Sequence, residues 1–310
     1  MQRWAPFGSG AARFLYAAED PAPRFPELLR DAGVTTVSFP SLQFLAQSFG
    51  VVRGFQEETM IAVGRRHAPG REVVDPLLAR LEKVGAEPFF AFVHLTEPHS
   101  PYDRGGTEGS PRDRYLAEIG VADAQVARVS RLLEQRFRGR GYLLVTSDHG
   151  EAFGEHGTTH HTKTLYDELL RVPLLVRGPG VRARRIERPV GLIDLGPTVL
   201  DIFRRPIPAS YLGQSLLPLL AGDDGAELTR PLLAEGRLRR ALITGDRKVI
   251  EDLRRTTVEA YDLARDPGEL VDLFDRERAR FEPDLAMLRA FFGAHGVAAR
   301  DPGYSAPYKP

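Results

Sequence analysis

One aspartate, four histidines and one lysine fall within sixteen consecutive residues, as Asp148-His149, His156, His160-His161 and Lys163. A carboxylate beside an imidazole makes a borderline-hard ligand pair suited to calcium, magnesium, manganese or zinc. A divalent metal flanked by histidines can hold and polarise a tetrahedral oxyanion such as sulfate or phosphate. In a second cluster, Glu97-Pro-His-Ser-Pro-Tyr102, two prolines stiffen the loop around His99, and Tyr102 offers an aromatic wall or a hydroxyl donor. Six of the eight histidines lie between His94 and His161, a concentration that packing alone does not explain. His94 sits inside an apolar run and reads as a core histidine, whereas His156 and His160 read as polar loop residues.

Both clusters need rigid support, and the surrounding pattern supplies strands. Tyr142-Leu-Leu-Val-Thr146 stops at Ser147-Asp148-His149-Gly150, and the apolar run from Pro88 to Leu95 stops at Thr96-Glu97. Each reads as a buried strand with reactive groups at its carboxyl end, the edge where open α/β sheets bind ligands. Helical spacing over 25–33, 73–84, 114–137 and 192–203 alternates with strands at 34–39, 88–95 and 142–146 and a strand with a turn over 172–180. That rhythm predicts a mostly parallel sheet covered on both faces. Beyond about residue 228 the pattern changes to short antiparallel strands within 239–250 and 258–263 and a closing helix over 282–292. The expected organisation is an α/β domain over 1–227, a small α+β subdomain over 228–300 and a loosely held tail over 301–310.

Composition narrows the partners. With 310 residues and 42% hydrophobic content the chain can bury a substantial core. Its 42 lysines and arginines balance 42 acids, so no net field argues for nucleic acid or lipid, and pairs such as Arg184-Arg185 read as solvated surface. The absence of cysteine excludes disulfides, thiolate metal sites and a cysteine-derived nucleophile within these residues. No apolar run approaches the ~20 residues of a membrane span. Met1-Gln-Arg-Trp-Ala-Pro lacks the apolar stretch of a signal peptide, which leaves the cellular location open.

Several linked motifs resemble one family. Pro88-Phe-Phe-Ala-Phe-Val-His-Leu-Thr-Glu-Pro-His-Ser-Pro-Tyr102, Val145-Thr-Ser-Asp-His-Gly-Glu-Ala-Phe-Gly-Glu-His-Gly157 and the stretch from Thr164-Leu-Tyr-Asp-Glu-Leu to Gly178-Pro-Gly180 resemble the sulfatases of the alkaline phosphatase superfamily. So do Ile193-Asp-Leu-Gly-Pro-Thr-Val-Leu200 and the late run from Glu259 to Leu273, and the likeness runs from about residue 22 to 275. It implies an alkaline-phosphatase-like three-layer sandwich with a mostly parallel sheet and a small C-terminal α+β subdomain. It further implies that Asp148 and His149 ligate one divalent metal, calcium foremost, and that His99 contacts the transferred group or the leaving oxygen. His161, with Lys163 as a second candidate, would supply the remaining contact to the anion, and Tyr102 would line the substrate side.

The implied activity is metal-dependent hydrolysis of a sulfate ester on a sulfated or phosphorylated small molecule or glycan. A histidine in the second metal position, where many sulfatases have asparagine, also occurs in relatives that cleave phosphate or phosphonate esters. A phosphate or phosphonate ester hydrolase or transferase is therefore the alternative. Family members begin with a strand of paired aspartates and then Cys-x-Pro-x-Arg, or a serine version, which supplies the nucleophile. Phe25 to Gly33 already resembles the helix after that segment, so the expectation is that these residues lack it. Ser38-Phe-Pro-Ser41 mimics the serine version, but Leu42 stands where the arginine belongs. A chain without the segment would bind metal, anion or a partner without turnover, which is the third reading.

Overall fold

The structure is a computed structural model and describes residues 3–7, 12–16, 23–42, 45–47, 52–61, 67–161, 164–223, 230–236 and 238–294. The expected domain boundary at 227/228, the tail over 301–310 and Lys163 lie outside the described residues. The chain divides into two compact units, one of Met1–Leu143, Arg177–Val181 and Leu195–Ala221, the other of Leu144–Val176, Arg182–Asp194 and Gly222–Pro310.

In the first unit a hairpin of β1 (Arg3–Phe7) and β2 (Ala12–Tyr16) precedes α1 (Phe25–Asp31), β3 (Thr35–Phe39), β4 (Glu57–Glu58), α2 (Gly70–Leu81), β5 (Phe89–Val93) and α3 (Pro111–Phe137). β3 lies between β4 and β5 and runs parallel to both, with Thr35 opposite Phe89 and Phe39 opposite Val93. The alternate residues Val37 and Phe39 enter a core with Ala68, Val73, Leu77, Leu81 and Val84, while Thr36 and Ser38 are buried on the opposite face. Burial on both faces is the ordinary state of a parallel strand.

Four helix starts differ from the sequence expectation: the helix expected from 192 begins at Leu195, the one expected from 282 begins at Arg278, and the other two have identifiable reasons. α2 begins at Gly70, ahead of the expected Val73, and the Gly70 N–H donates to Glu97 Oε1 at 2.9 Å. This distant carboxylate caps a first-turn N–H that local sequence cannot assign. α3 begins at Pro111, ahead of Arg114, because Ser110 and Asp113 cap it reciprocally: Ser110 Oγ accepts from the Asp113 N–H at 3.2 Å and the Asp113 carboxylate accepts from the Ser110 N–H at 2.9 Å. The apolar face of α3, with Val129, Leu132, Leu133 and Phe137, packs on the β3 core.

The chain continues through β6 (Leu143–Thr146), the short hairpin of β7 (Ala152–Phe153) and β8 (Thr159–His160), α4 (Asp167–Leu170) and β9 (Leu174–Arg177), which hydrogen-bonds to β6. α5 (Leu195–Ile202) and α6 (Leu217–Ala221) belong to the first unit. β10 (Leu232–Glu235), β11 (Arg239–Thr244), β12 (Arg247–Asp252) and β13 (Thr257–Asp262) then form an antiparallel sheet in that order, followed by α7 (Arg278–Ala294). Gly245, at φ +59°, supplies the left-handed turn between β11 and β12. The two-residue period sends Leu242, Val249 and Ala260 to α7, where they meet Phe281, Leu285, Leu288 and Phe292. Ala241, Ile250 and Tyr261 face the other way and pack with Leu165, Tyr166 and Leu170, the segment that follows the histidine-rich loop.

Candidate functional site

In the first unit, the loop after β5 carries His99 over a buried polar base. Glu97 accepts the Gly70 N–H at 2.9 Å and pairs with Arg104 at 3.0 Å, and Arg104 also donates to the carbonyls of Ala68 and His67 at 3.0 and 3.2 Å. Buried Glu118 of α3 accepts the Arg104 N–H at 2.9 Å, and burial raises its carboxyl pKa despite that bond. The Glu97–Pro98 and Ser100–Pro101 peptide bonds are both cis. His99 Nδ1 lies 2.7 Å from the Ser100 carbonyl, which can only accept, so Nδ1 carries the proton and the lone pair of the neutral ring sits on Nε2.

The His99 ring lies 4.4 Å from that of His67, a residue that sequence reasoning passed over because it stands apart from both histidine clusters. Tyr102 is only 4% exposed and meets Tyr115 of α3 edge-on at 5.8 Å, so its ring packs against that helix. His94 is partly buried, with Nδ1 2.6 Å from Ser41 Oγ, in keeping with a satisfied core histidine. Ser38 is fully buried in β3 and its Oγ has no hydrogen-bond partner among the described residues, which shuts the serine mimic away from any substrate.

In the second unit, β6 ends at a tight turn in which Ser147 Oγ donates to the His149 carbonyl at 2.6 Å and Asp148 Oδ1 accepts the His149 N–H at 3.0 Å. The Asp148 side chain is 76% exposed. His149 Nδ1 donates to the Gly150 carbonyl at 2.8 Å, which leaves the lone pair on Nε2, 3.7 Å from Asp148 Oδ2. Gly150 is required here: its N–H donates to the Leu169 carbonyl at 2.8 Å, and a Cβ would collide with the carbonyl oxygen of Glu168. Oxygen and imidazole acceptors side by side fit a divalent cation. Among the described residues no three histidine, aspartate or glutamate side chains gather for a metal, so Asp148 and His149 alone could supply only part of a ligand set.

His161 stacks on His149, ring centroids 4.3 Å apart and 29° from parallel. The nearly buried carboxylate of Glu151 lies 3.2 Å from His161 Nδ1, and this hydrogen bond raises the imidazole pKa against the opposing effect of burial. Glu151 stood in the motif without a role until the structure placed it under His161. His160 is exposed, its Nδ1 only 3.2 Å from the neighbouring Thr159 Oγ1, but it lies in the two-residue strand β8, opposite Ala152, and not in a loop.

His156 departs from the polar-loop expectation. Its side chain is 14% exposed, with Nδ1 2.9 Å from Glu168, Nε2 donating to the Glu269 carbonyl at 3.2 Å and the ring stacked on Tyr166 at 3.7 Å. Nothing local in Gly154-Glu-His-Gly157 announces these partners, because one of them is 113 residues away.

The family model "Sulfatase" matches residues 19–204, and the model "N-sulphoglucosamine sulphohydrolase, C-terminal" matches residues 154–285. Uncharacterized sulfatase YidJ of Escherichia coli (strain K12) is 29% identical over 167 residues, covering 52% of this chain and 33% of that protein. The chain thus spans about a third of the length of that relative. A protein solved in complex with its substrate D-glucosamine-2-N,6-O-disulfate superposes with a TM-score of 0.70 at 17% identity, covering 93% of this chain and 85% of the other. The phosphonate monoester hydrolase of Agrobacterium radiobacter gives 0.70 at 18% identity, covering 88% and 81%. These two likenesses establish the alkaline-phosphatase-like α/β fold, and the family pattern matches well over half of the 310 residues: the chain belongs to the sulfatase family.

Proposed function

We propose that this chain carries the metal- and anion-binding side of a sulfate-ester hydrolase. Asp148 and His149 hold one divalent cation, calcium foremost, together with ligands from outside the described residues. One observation carries the reading: His149 commits Nδ1 to the Gly150 carbonyl and turns Nε2 to within 3.7 Å of Asp148 Oδ2. A ligating imidazole is commonly oriented by such a bond from its other nitrogen. When bound, the cation neutralises charge on an oxygen of the transferred group.

The chain's own residues do the rest. His161, biased toward imidazolium by Glu151, attracts the anion, and Lys163 is assigned to the same anion. His99 exchanges a proton with the leaving oxygen through Nε2, its ring fixed by the Ser100 carbonyl. Tyr102, buried against Tyr115 of α3, shapes the substrate side through the loop it anchors. No nucleophile is assigned among these residues: they contain no cysteine, and the serine mimic Ser38 is buried. A sulfated glycan is the substrate class, supported by the matched N-sulphoglucosamine sulphohydrolase model and by the relative solved with a disulfated glucosamine.

Phosphonate or phosphate monoesters are the second reading, favoured by histidine at position 149 and by the likeness to a phosphonate monoester hydrolase. Equilibrium dialysis with calcium alone tests the metal assignment. One ion should bind, and binding should be lost in Asp148→Ala and His149→Ala; an unchanged isotherm in both variants would refute it. Parallel titrations with sulfate and methylphosphonate in calcium then separate the two readings by whichever binds more tightly.

A further inference from the structure

We propose that His156 is a positioning residue that pins the loop carrying His161 to the C-terminal sheet, so that the sheet sets where the anion-facing histidines stand. The site it would serve is the one just proposed, and the pin itself is a matter of geometry. β7 and β8 contribute only two residues each, with Ala152 opposite His160, and a hairpin that short does not hold itself in water. His161 follows it directly. His156 stands in the single 3₁₀ turn at the tip, Glu155–Gly157, with φ +50°, and both of its ring nitrogens are engaged.

Its partners lead inward to the sheet. Glu269, whose carbonyl accepts from His156, takes the Asp167 N–H on its own Oε2 at 2.6 Å. Lys248 of β12, 0% exposed, places Nζ 2.8 Å from Asp167 and 2.7 Å from Glu269 Oε1; the latter is a close ion pair and not an aligned hydrogen bond. Lys248 projects from the same face of β12 as Ile250, the face covered by Leu165. Tyr166 closes the arrangement, stacking on His156 and donating its hydroxyl to Glu259 of β13 at 2.6 Å. Loop tip, α4 and two sheet strands are thereby tied through one buried polar network. Such networks fix a unique arrangement when every member is paired.

The test compares the wild-type chain with His156→Ala and His156→Gln. It reads amide hydrogen exchange over 152–161 and the side-chain nitrogen resonances of His161, with inorganic sulfate titrated in calcium as a separate arm. In His156→Ala, exchange over 152–161 should accelerate about tenfold or more while 239–262 stays protected, and the His161 resonances should move. His156→Gln keeps a donor for the Glu269 carbonyl and should restore both in part. Unchanged protection and unmoved His161 resonances in His156→Ala would overturn the pin. Should that variant not fold, Glu168→Gln, which removes only the charge opposite Nδ1, is read by the same two criteria. A loosened loop in a chain that binds no sulfate would uphold the pin and sink the hydrolase reading; sulfate binding with an unmoved loop would do the reverse.

Discussion

His149 and His161 lie ring on ring at 4.3 Å, and each has its Nδ1 tied back into the protein, His149 to the Gly150 carbonyl and His161 to the Glu151 carboxylate. Two imidazoles held in this way present their remaining nitrogens in fixed directions. One lies 3.7 Å from Asp148 Oδ2, where the proposed function needs a metal donor, and the other is biased toward the charge an anion needs.

Glu151→Gln keeps the shape beneath His161 and removes the charge. Hydrogen bonds to charged groups contribute about 1.5–3 kcal/mol, so sulfate affinity in the presence of calcium should fall by about tenfold to a hundredfold. Calorimetric titration checks this, and an unchanged Kd would show that His161 does not depend on Glu151.

Gly150→Ala should act on the site through the backbone. The new methyl group meets the Glu168 carbonyl, which α4 holds in place and which a side-chain rotation cannot relieve. The turn must open, carrying His149 away from Asp148. Calcium binding should be lost with the fold retained by circular dichroism, and wild-type calcium binding would contradict the close approach.

Lys248→Met should be the most damaging single substitution in the C-terminal sheet. It leaves the buried Glu269 carboxylate without its cation, beside the half-buried Asp167, at a cost of about 3–5 kcal/mol. Adding Glu269→Gln to Lys248→Met should recover part of that loss in denaturant unfolding. A double variant no more stable than Lys248→Met would argue against a shared network.

His156 gives a pH signature. Burial is the largest single influence and lowers its pKa, but Glu168 and Glu269 together raise it more, for a net shift above the usual 6.5. The groups facing it are Glu168 on α4, the Tyr166 ring and the Glu269 carbonyl, with Lys248 and Asp167 beyond. A raised imidazole pKa stabilises the folded state fully below the unfolded value and loses that contribution as pH rises through the folded value. The protection of 152–161 should therefore weaken above neutrality in the wild type and show no such dependence in His156→Gln, as hydrogen exchange between pH 6 and 9 would record.

Much of this was legible in the sequence where the cause was local. The apolar runs that became β3 and β6 end where expected, β5 stops at Val93, two residues short of the expected Leu95, and Asp148-His149 stands just beyond the end of β6. What stayed hidden depends on partners far along the chain. Glu97 capping α2, His67 against His99, and His156 reaching Glu269 leave no periodicity or motif in their own neighbourhoods. Lys248 is the sharpest case: a lysine in a strand suggests an exposed position, yet the network with Asp167 and Glu269 keeps it buried.

The central claim is that the turn after β6 binds a divalent cation and, through it, a sulfate-like anion. Calorimetric titration of inorganic sulfate into the chain, with and without calcium, tests it most directly, with Asp148→Ala and the control His160→Ala alongside. The account requires sulfate binding that appears only with calcium, disappears in Asp148→Ala and persists in His160→Ala. Sulfate binding indifferent to calcium and to Asp148, or none under any condition, would contradict it.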